Sequence, residues 1–417
     1  MRTVLVNCGP IVHLDVEGPC TGSDMSNEEM IYDAGKAIII NGNVIEKILE
    51  SSEDAIDFTD SDSEIINVDG KAIIPGLIDS HSHIIWAGDR SREVRWKQQG
   101  HSYADIASMG GGISYTVAAT RAANKTKLHN SAKKRLQIAA KSGTTHIETK
   151  SGYGLDLDSE LKLLEVAHNL SHDDSLPTID STWLGAHAIP KEHTLKSYTE
   201  ELISIQLPKI AESGLARSAD VFCEPGWFGV EESELILKES RKMGLNLRIH
   251  IDEFVDGGGG ELAADLKVDS ADHAHYTNSN ARNLMKEAGV NTGFLPGTPY
   301  SMGSDWPDFN SMISLDAPWS IATDFNPNNQ ILSLPFIASC LVQRCNVDPL
   351  SALVASTINP SLTTPHPSGL PHGRICEGAV ANINILHSKH WESWCLTPGH
   401  SPVCATILNG NYQLHDF

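Results

Sequence analysis

"SAKKRLQIAAKSGTTHIETKSGYG", Ser131 to Gly154, changes periodicity part-way along: an amphipathic helical segment runs to Gly143, and a β-rich segment follows and ends in polar residues around Tyr153. The same helix-to-strand rhythm recurs in "TIDSTWLGAHA", "ELILKESRKMGLNLRIHIDE", "KVDSADHAHY", "NLMKEAGVNTGFLPG" and "DAPWSIATDFNP". Units of this kind build a parallel sheet with helices outside it, and this many of them favour a closed (β/α)8 TIM-like barrel over an open sheet. The expected fold class is therefore α/β.

Outside the repeating region the pattern is β. Residues 1–66 contain "TVLVNC" and "AIIINGNVIEKILE", and residues 368–417 contain "GAVANINILH" and "CATILNGNYQLHD". Each end carries an Asn-Gly pair, Asn41-Gly42 and Asn409-Gly410, that reads as a two-residue hairpin turn. The expected organisation is a catalytic barrel over 67–367 and a small β-sandwich domain built from both termini, 1–66 and 368–417.

The 417 residues carry 53 acidic and 31 basic side chains, a formal net charge of -22. Such a field repels phosphate backbones and anionic membrane surfaces, so no nucleic acid and no membrane partner is expected. The segment "MRTVLVNCGPIVHLDVEG" reads as neither a signal peptide nor a membrane span, and a cytoplasmic location is the expectation. Eight cysteines without a CxxC read as reduced, mostly buried thiols. The glycine clusters "GGGIS" and "DGGGGELAA" lack phosphate-loop spacing and read as loops near an active site.

The chemistry begins at "DSHSHIIWAGDR", Asp79 to Arg90. On an extended strand His81 and His83 point the same way, a natural pair of ligands for one metal ion. An HxH pair alone is weak evidence, but later strands also end in polar groups: Tyr153; His187; His250, Asp252 and Glu253; His273 and His275; Asp324. Any one of these could be a core residue or a cap. In a barrel the C-terminal strand ends converge on one face, where charged groups are costly to bury unless they pair or bind metal.

Taken together, "PGLIDSHSHIIWAGDR", "GGGISYTVAATRAA", "ETKSGYGL", "TWLGAHAIP", "HIDE", "SADH" and "ATDFNP" resemble the imidazolonepropionase family of the amidohydrolase superfamily, in order and spacing from about residue 67 to 360. The resemblance implies that His81, His83, His250 and Asp324 hold one divalent metal ion, zinc or iron, which lowers the pKa of its bound water toward roughly 7. It assigns Glu253 to activating that water and His273 to the developing oxyanion, with Glu253 or Asp324 returning a proton to the leaving nitrogen. Arg90, Tyr103, Tyr153 and His187 are the implied substrate contacts, Arg90 as the clamp on a carboxylate and His187 as a hydrogen-bonding partner of the ring carbonyl. The implied reaction is hydrolysis of the ring amide of 4-imidazolone-5-propanoate to N-formimidoyl-L-glutamate in histidine degradation. A homodimer is expected, since barrels of this superfamily are often dimers.

Two features depart from the family pattern. Asn382 stands where the superfamily usually has Asp, and "HAHYTNSNARNL" replaces an acidic run after His273, leaving His275 to alter contacts near the pocket. The rival readings are another amidohydrolase, such as a heterocycle deaminase or cyclic amidase, and a non-catalytic amidohydrolase-like scaffold. A deaminase of a neutral base has no use for Arg90, and a scaffold would be expected to have lost ligands. A dinuclear hydrolase would want a carboxylated lysine, for which Lys150 is the candidate.

Overall fold

The computed structural model of the chain describes residues 2–415, apart from the side chains at 103 and 104. Eight strands form one parallel sheet in chain order: β1 (Leu77–Asp79), β2 (Thr144–Lys150), β3 (Thr178–Ala186), β4 (Ser218–Cys223), β5 (Asn246–Ile251), β6 (Ser270–His273), β7 (Asn291–Phe294) and β8 (Trp319–Ile321). The sheet curls until its edges meet just past β1 and β8. His83 N donates to Phe325 O at 2.7 Å, Asp324 N to His81 O at 3.1 Å, and Thr323 N and Oγ1 to the Asp79 carboxylate at 3.0 and 2.6 Å. Closing the barrel therefore also brings the two histidines of the HxH pair against Asp324.

The helix α1 (Lys125–Lys141) and β2 show how the local sequence builds one unit. Asn124 caps the helix by accepting from Lys127 N at 2.9 Å. Leu128, Ala132, Leu136 and Ala139, spaced three or four apart, are at most 1% exposed and pack on the barrel. Gly143 turns the chain with φ +91°, and a Cβ there would lie 2.8 Å from Asn384 Nδ2. Every residue of β2 is then buried, as expected of a parallel strand covered on both faces.

The termini form two further sheets. A four-stranded sheet takes Arg2–Val6, Ala37–Asn41, Val44–Leu49 and Glu64–Asn67 from the N-terminal segment. A six-stranded sheet joins Ile11–Val12, Ile31–Tyr32 and Ile73–Pro75 to Ile383–Leu386, Val403–Leu408 and Asn411–Leu414. Leu5, Ile38, Ile40, Ile73, Ile383 and Ile407 share the core between them. The Asn409-Gly410 turn joins the last two strands, with positive φ at both residues. The first hairpin turns one residue later than the Asn-Gly pair suggests: Asn41 pairs with Val44, so Gly42-Asn43 form the turn, and Gly42 supplies the positive φ. Asn382, at the departure from the superfamily pattern, accepts from Asn409 N at 2.7 Å and serves the sandwich.

Among the described residues all eight cysteines are free thiols, and no helix is long and apolar enough to cross a membrane.

Candidate active site

His81, His83, His250, His273 and Asp324 meet at the C-terminal mouth of the barrel. His81, His83 and His250 bring one ring nitrogen each within 4.8 Å of the others, as do His81 and His273 with one oxygen of Asp324. Asp324 Oδ1 lies 3.8 Å from His81 Nε2 and 3.7 Å from His83 Nε2. These separations are too long for hydrogen bonds and shorter than the ~4.2 Å that two ligand bonds of about 2.1 Å can span.

His81 Nε2 is fully buried without a hydrogen-bond partner, while its Nδ1 donates to Asp272 Oδ2 at 2.6 Å. That hydrogen bond fixes the tautomer and leaves a bare lone pair on Nε2, aimed at the cluster. Burial, reinforced by Lys150 for His81 and by His187 for His83, holds both imidazoles well below their usual pKa. They are therefore neutral at pH 7, the form that ligates. Burial pushes the Asp324 carboxyl up to about 6, a cost to its charge that a neighbouring cation would offset. Three imidazoles and a carboxylate fit a divalent ion of the zinc or iron kind.

Beneath the cluster lies a buried ionic network that sequence reading missed. His250 Nδ1 donates to Asp220 Oδ1 at 2.9 Å, and Asp220 Oδ2 lies 2.7 Å from Lys150 Nζ. Lys150 also reaches Glu148 Oε1 at 2.9 Å, and Arg248 sits 3.6 Å from Asp272 Oδ2. Burial works against the Lys150 charge, but Asp220 and Glu148 more than offset it and hold its pKa above the usual lysine value. The lysine is thus a counter-ion, engaged on two sides. Ser270 Oγ donates to Asp272, and Thr298 Oγ1 to Asp324.

On one side of the cluster Glu253 Oε2 lies 3.5 Å from His273 Nε2. Burial, then the charges of Asp324 and Glu224, raise the Glu253 pKa well above the usual glutamate value. Both residues border a cavity of about 80 Å³ that is also lined by His275 and Thr298. A larger cavity, about 300 Å³, lies in the sandwich among Lys71, His387 and His415 and includes none of the clustered histidines. The smaller one therefore adjoins the histidine cluster through His273.

No family model matches the chain. It is 34% identical over 393 residues to an imidazolonepropionase of Clostridium tetani, covering 94% of this chain and 93% of that one. It is 38% identical over 371 residues to an imidazolonepropionase of Thermoanaerobacter pseudethanolicus, covering 88% and 87%. The chain belongs to the imidazolonepropionase family. Solved structures extend the likeness at the level of fold: a 5-methylcytosine deaminase from Klebsiella pneumoniae matches with TM-score 0.72 at 16% identity, covering 100% of this chain and 99% of that one. An ochratoxinase from A. niger matches with TM-score 0.69 at 17% identity, covering 99% and 95%.

The substrate contacts expected from the imidazolonepropionase resemblance fall in different settings. His187 stacks on His83, ring centroids 5.2 Å apart, and donates from Nδ1 to Gly152 O at 2.9 Å. Tyr153 is 4% exposed and lies 5.6 Å from the His83 ring and 5.2 Å from the His187 ring, centre to centre. Arg90, 8% exposed, sits on the loop after His83, with Nε and Nη2 gripping Glu93 at 2.9 and 2.8 Å. Tyr103 opens the helix Tyr103–Ser108, and its side chain lies outside the described residues.

Two further buried carboxylates hold the site's loops. Glu160 accepts from Gly152 N, Gly154 N and Leu155 N at 2.7–3.2 Å, and Glu224 accepts from Glu253 N, Phe254 N and Val255 N at 2.9–3.1 Å. Asp252, grouped with His250 and Glu253 in the sequence, turns away from the histidines to bind Thr277 Oγ1 at 2.6 Å and Gly257 N at 3.0 Å.

Proposed function

We propose that the protein hydrolyses the ring amide C–N bond of 4-imidazolone-5-propanoate to N-formimidoyl-L-glutamate, a step of histidine degradation. The observation that carries this is the convergence of His81, His83, His250 and Asp324 beside Glu253 and His273, in a chain of the imidazolonepropionase family. When bound by those four residues, a zinc or iron ion supplies Lewis-acid activation of water and of the ring carbonyl.

Glu253 takes the proton of the attacking water. Its high proton affinity suits a base that must also give the proton back. His273, with Nε2 toward Glu253, presents an N–H to the oxyanion that forms on the ring carbonyl oxygen. Glu253 then delivers the proton to the departing ring nitrogen. Asp324 is poorly placed for that delivery, because one of its oxygens accepts from Thr298 and the other faces His81 and His83.

Arg90 holds the propanoate. Glu93 occupies the Nε edge of its guanidinium, which leaves the Nη1 end as the one to meet the substrate carboxylate. For His187 the hydrogen bonding supports an acceptor role in place of the expected bond to the ring carbonyl. Its Nδ1 proton is committed to Gly152 O, and burial lowers its pKa to about 4, so the neutral ring offers Nε2 as an acceptor. It therefore meets a substrate N–H rather than the carbonyl, while Tyr153 walls the ring. A cytoplasmic homodimer is the proposed setting, and light scattering would read the assembly.

The test is to mix metal-loaded protein with freshly generated imidazolone propionate and follow ring loss and formimidoylglutamate appearance, with His250→Ala as control. Turnover abolished in the variant is expected. No turnover by fully metallated protein would overturn the assignment in favour of another cyclic amidase or a heterocycle deaminase.

A further inference from the structure

The segment Glu253–Val255 leaves β5 without entering a helix. It follows Asp252, a non-glycine residue at φ +50°, and its next two side chains, Phe254 and Val255, are 42% and 47% exposed. Little in its own sequence holds such a stretch still: it has no secondary-structure ladder, and its apolar anchoring is the half-exposed Phe254 ring, 5.8 Å from that of Trp227 and 6.4 Å from that of Phe222. Yet a side chain that moves protons in a reaction must keep its place to within a fraction of an ångström.

Its backbone N–H groups are held by one carboxylate from the neighbouring strand. Glu224 directly follows β4 and is 1% exposed. Its Oε2 accepts from Glu253 N at 2.9 Å, and its Oε1 accepts from Phe254 N at 3.1 Å and Val255 N at 3.0 Å. Three successive backbone N–H groups thus end on one side chain, whose own backbone is anchored by the bond from Glu224 N to Phe228 O at 3.0 Å. We infer that Glu224 is a positioning residue for the reaction, acting only through Glu253 by fixing the backbone from which that carboxylate reaches toward His273. This rests on Glu253 being the base proposed above.

The two oxygens are not equivalent, and this makes the test specific. In Glu224→Gln, a side-chain oxygen on the Phe254 and Val255 side keeps two of the bonds. The amide NH2 must then face Glu253 N–H, donor against donor, and Glu253 alone is released. Relative to wild type, kcat for imidazolone propionate should fall roughly 10- to 100-fold. KM and bound metal should each stay within about twofold, because His81, His83, Asp324 and the carboxylate clamp lie on other elements and His250, earlier on β5, is held separately by Asp220. The double variant Glu224→Gln/Glu253→Gln should be no slower than Glu253→Gln, since Glu224 has nothing left to position.

Full kcat in Glu224→Gln beside a crippled Glu253→Gln would overturn the inference, as would losses that multiply in the double variant. Full kcat in Glu253→Gln would instead sink the base assignment beneath it. Should Glu224→Gln fail to fold, amide exchange on wild-type protein reads the same contact. Slow exchange at residues 253–255, despite the exposed side chains of Phe254 and Val255, is expected, and exchange at the rate of an open loop would overturn the inference.

Discussion

Lys150 Nζ lies 2.7 Å from Asp220 Oδ2, and the other oxygen of that carboxylate receives the Nδ1 proton of His250 at 2.9 Å. With Glu148 2.9 Å away on its other side, the ammonium is held between two carboxylates and is wholly buried. A lysine so engaged is not free to be carboxylated and bridge two ions, so metal titration should saturate at one ion per chain and added bicarbonate should bring no second. Lys150→Met strips the ammonium from both carboxylates, leaving Asp220 with the His250 N–H and Glu148 with Arg248 at 3.9 Å, a loss on the order of 3–5 kcal/mol for a broken buried ion pair. Denaturant unfolding measures it, and a variant of wild-type stability would contradict the role.

Asp272 orients His81 as Asp220 orients His250. Its Oδ2 takes the Nδ1 proton at 2.6 Å, and its other oxygen receives the Ser270 hydroxyl. Asp272→Asn can serve only one of these donors. Metal affinity, read by competition with a chromophoric chelator, should fall about 10- to 100-fold, as is usual when the partner of a ligating histidine is removed. Asp89→Asn, which changes an exposed carboxylate bonded to Ser91, is the control and should leave affinity unchanged.

The contrast between those histidines and their carboxylates explains how much was legible in the sequence. His81, His83, His250, His273 and Asp324 stand at strand ends in an alternating αβ pattern, and barrel closure alone dictates that such ends converge. Asp220 in "SADVFC" and Asp272 in "SADH" lie inside strands, where a carboxylate reads alike whether it faces solvent or a buried histidine. Their partners, Lys150 and Arg248, come from other strands, so the pairing exists only after the barrel forms. Glu93 was hidden for a different reason. It follows Arg90 by three residues and could be taken for a helix N-terminal charge, and only the fold shows it gripping the guanidinium.

Glu160, fully buried, accepts three N–H groups from the loop that carries Tyr153, and Gly152 of the same loop supplies the carbonyl that fixes His187. Glu160→Ala leaves those donors facing a methyl group and should cost more than about 2 kcal/mol in stability. In Glu160→Gln the amide can satisfy only part of the set, so the loop loosens and the proposed substrate contacts are lost together. KM should rise about tenfold or more, with a smaller fall in kcat and no change in bound metal. Steady-state kinetics with metal analysis checks this, and an unchanged KM would contradict it.

Glu253 holds its proton more tightly in the folded protein than in the unfolded chain, because burial disfavours its charge and Asp324 and Glu224 repel it. As pH rises from the ordinary glutamate value of 4.5 through the higher folded value, ionisation therefore withdraws stability. Glu253→Gln escapes that loss. Its advantage over wild type should be absent near pH 4, where the glutamate is protonated in both states, and should grow as pH rises. A divalent ion beside Asp324 eases the Glu253 charge, so the advantage should be larger after chelation than in metal-loaded protein. Thermal melts across this range test the sign, and an advantage equal at both ends would contradict it. The same substitution should lower kcat by about 10² to 10⁴, the usual worth of a positioned base. Stability gained and catalysis lost at one position is the expected signature of a carboxylate kept for the reaction at the expense of the fold.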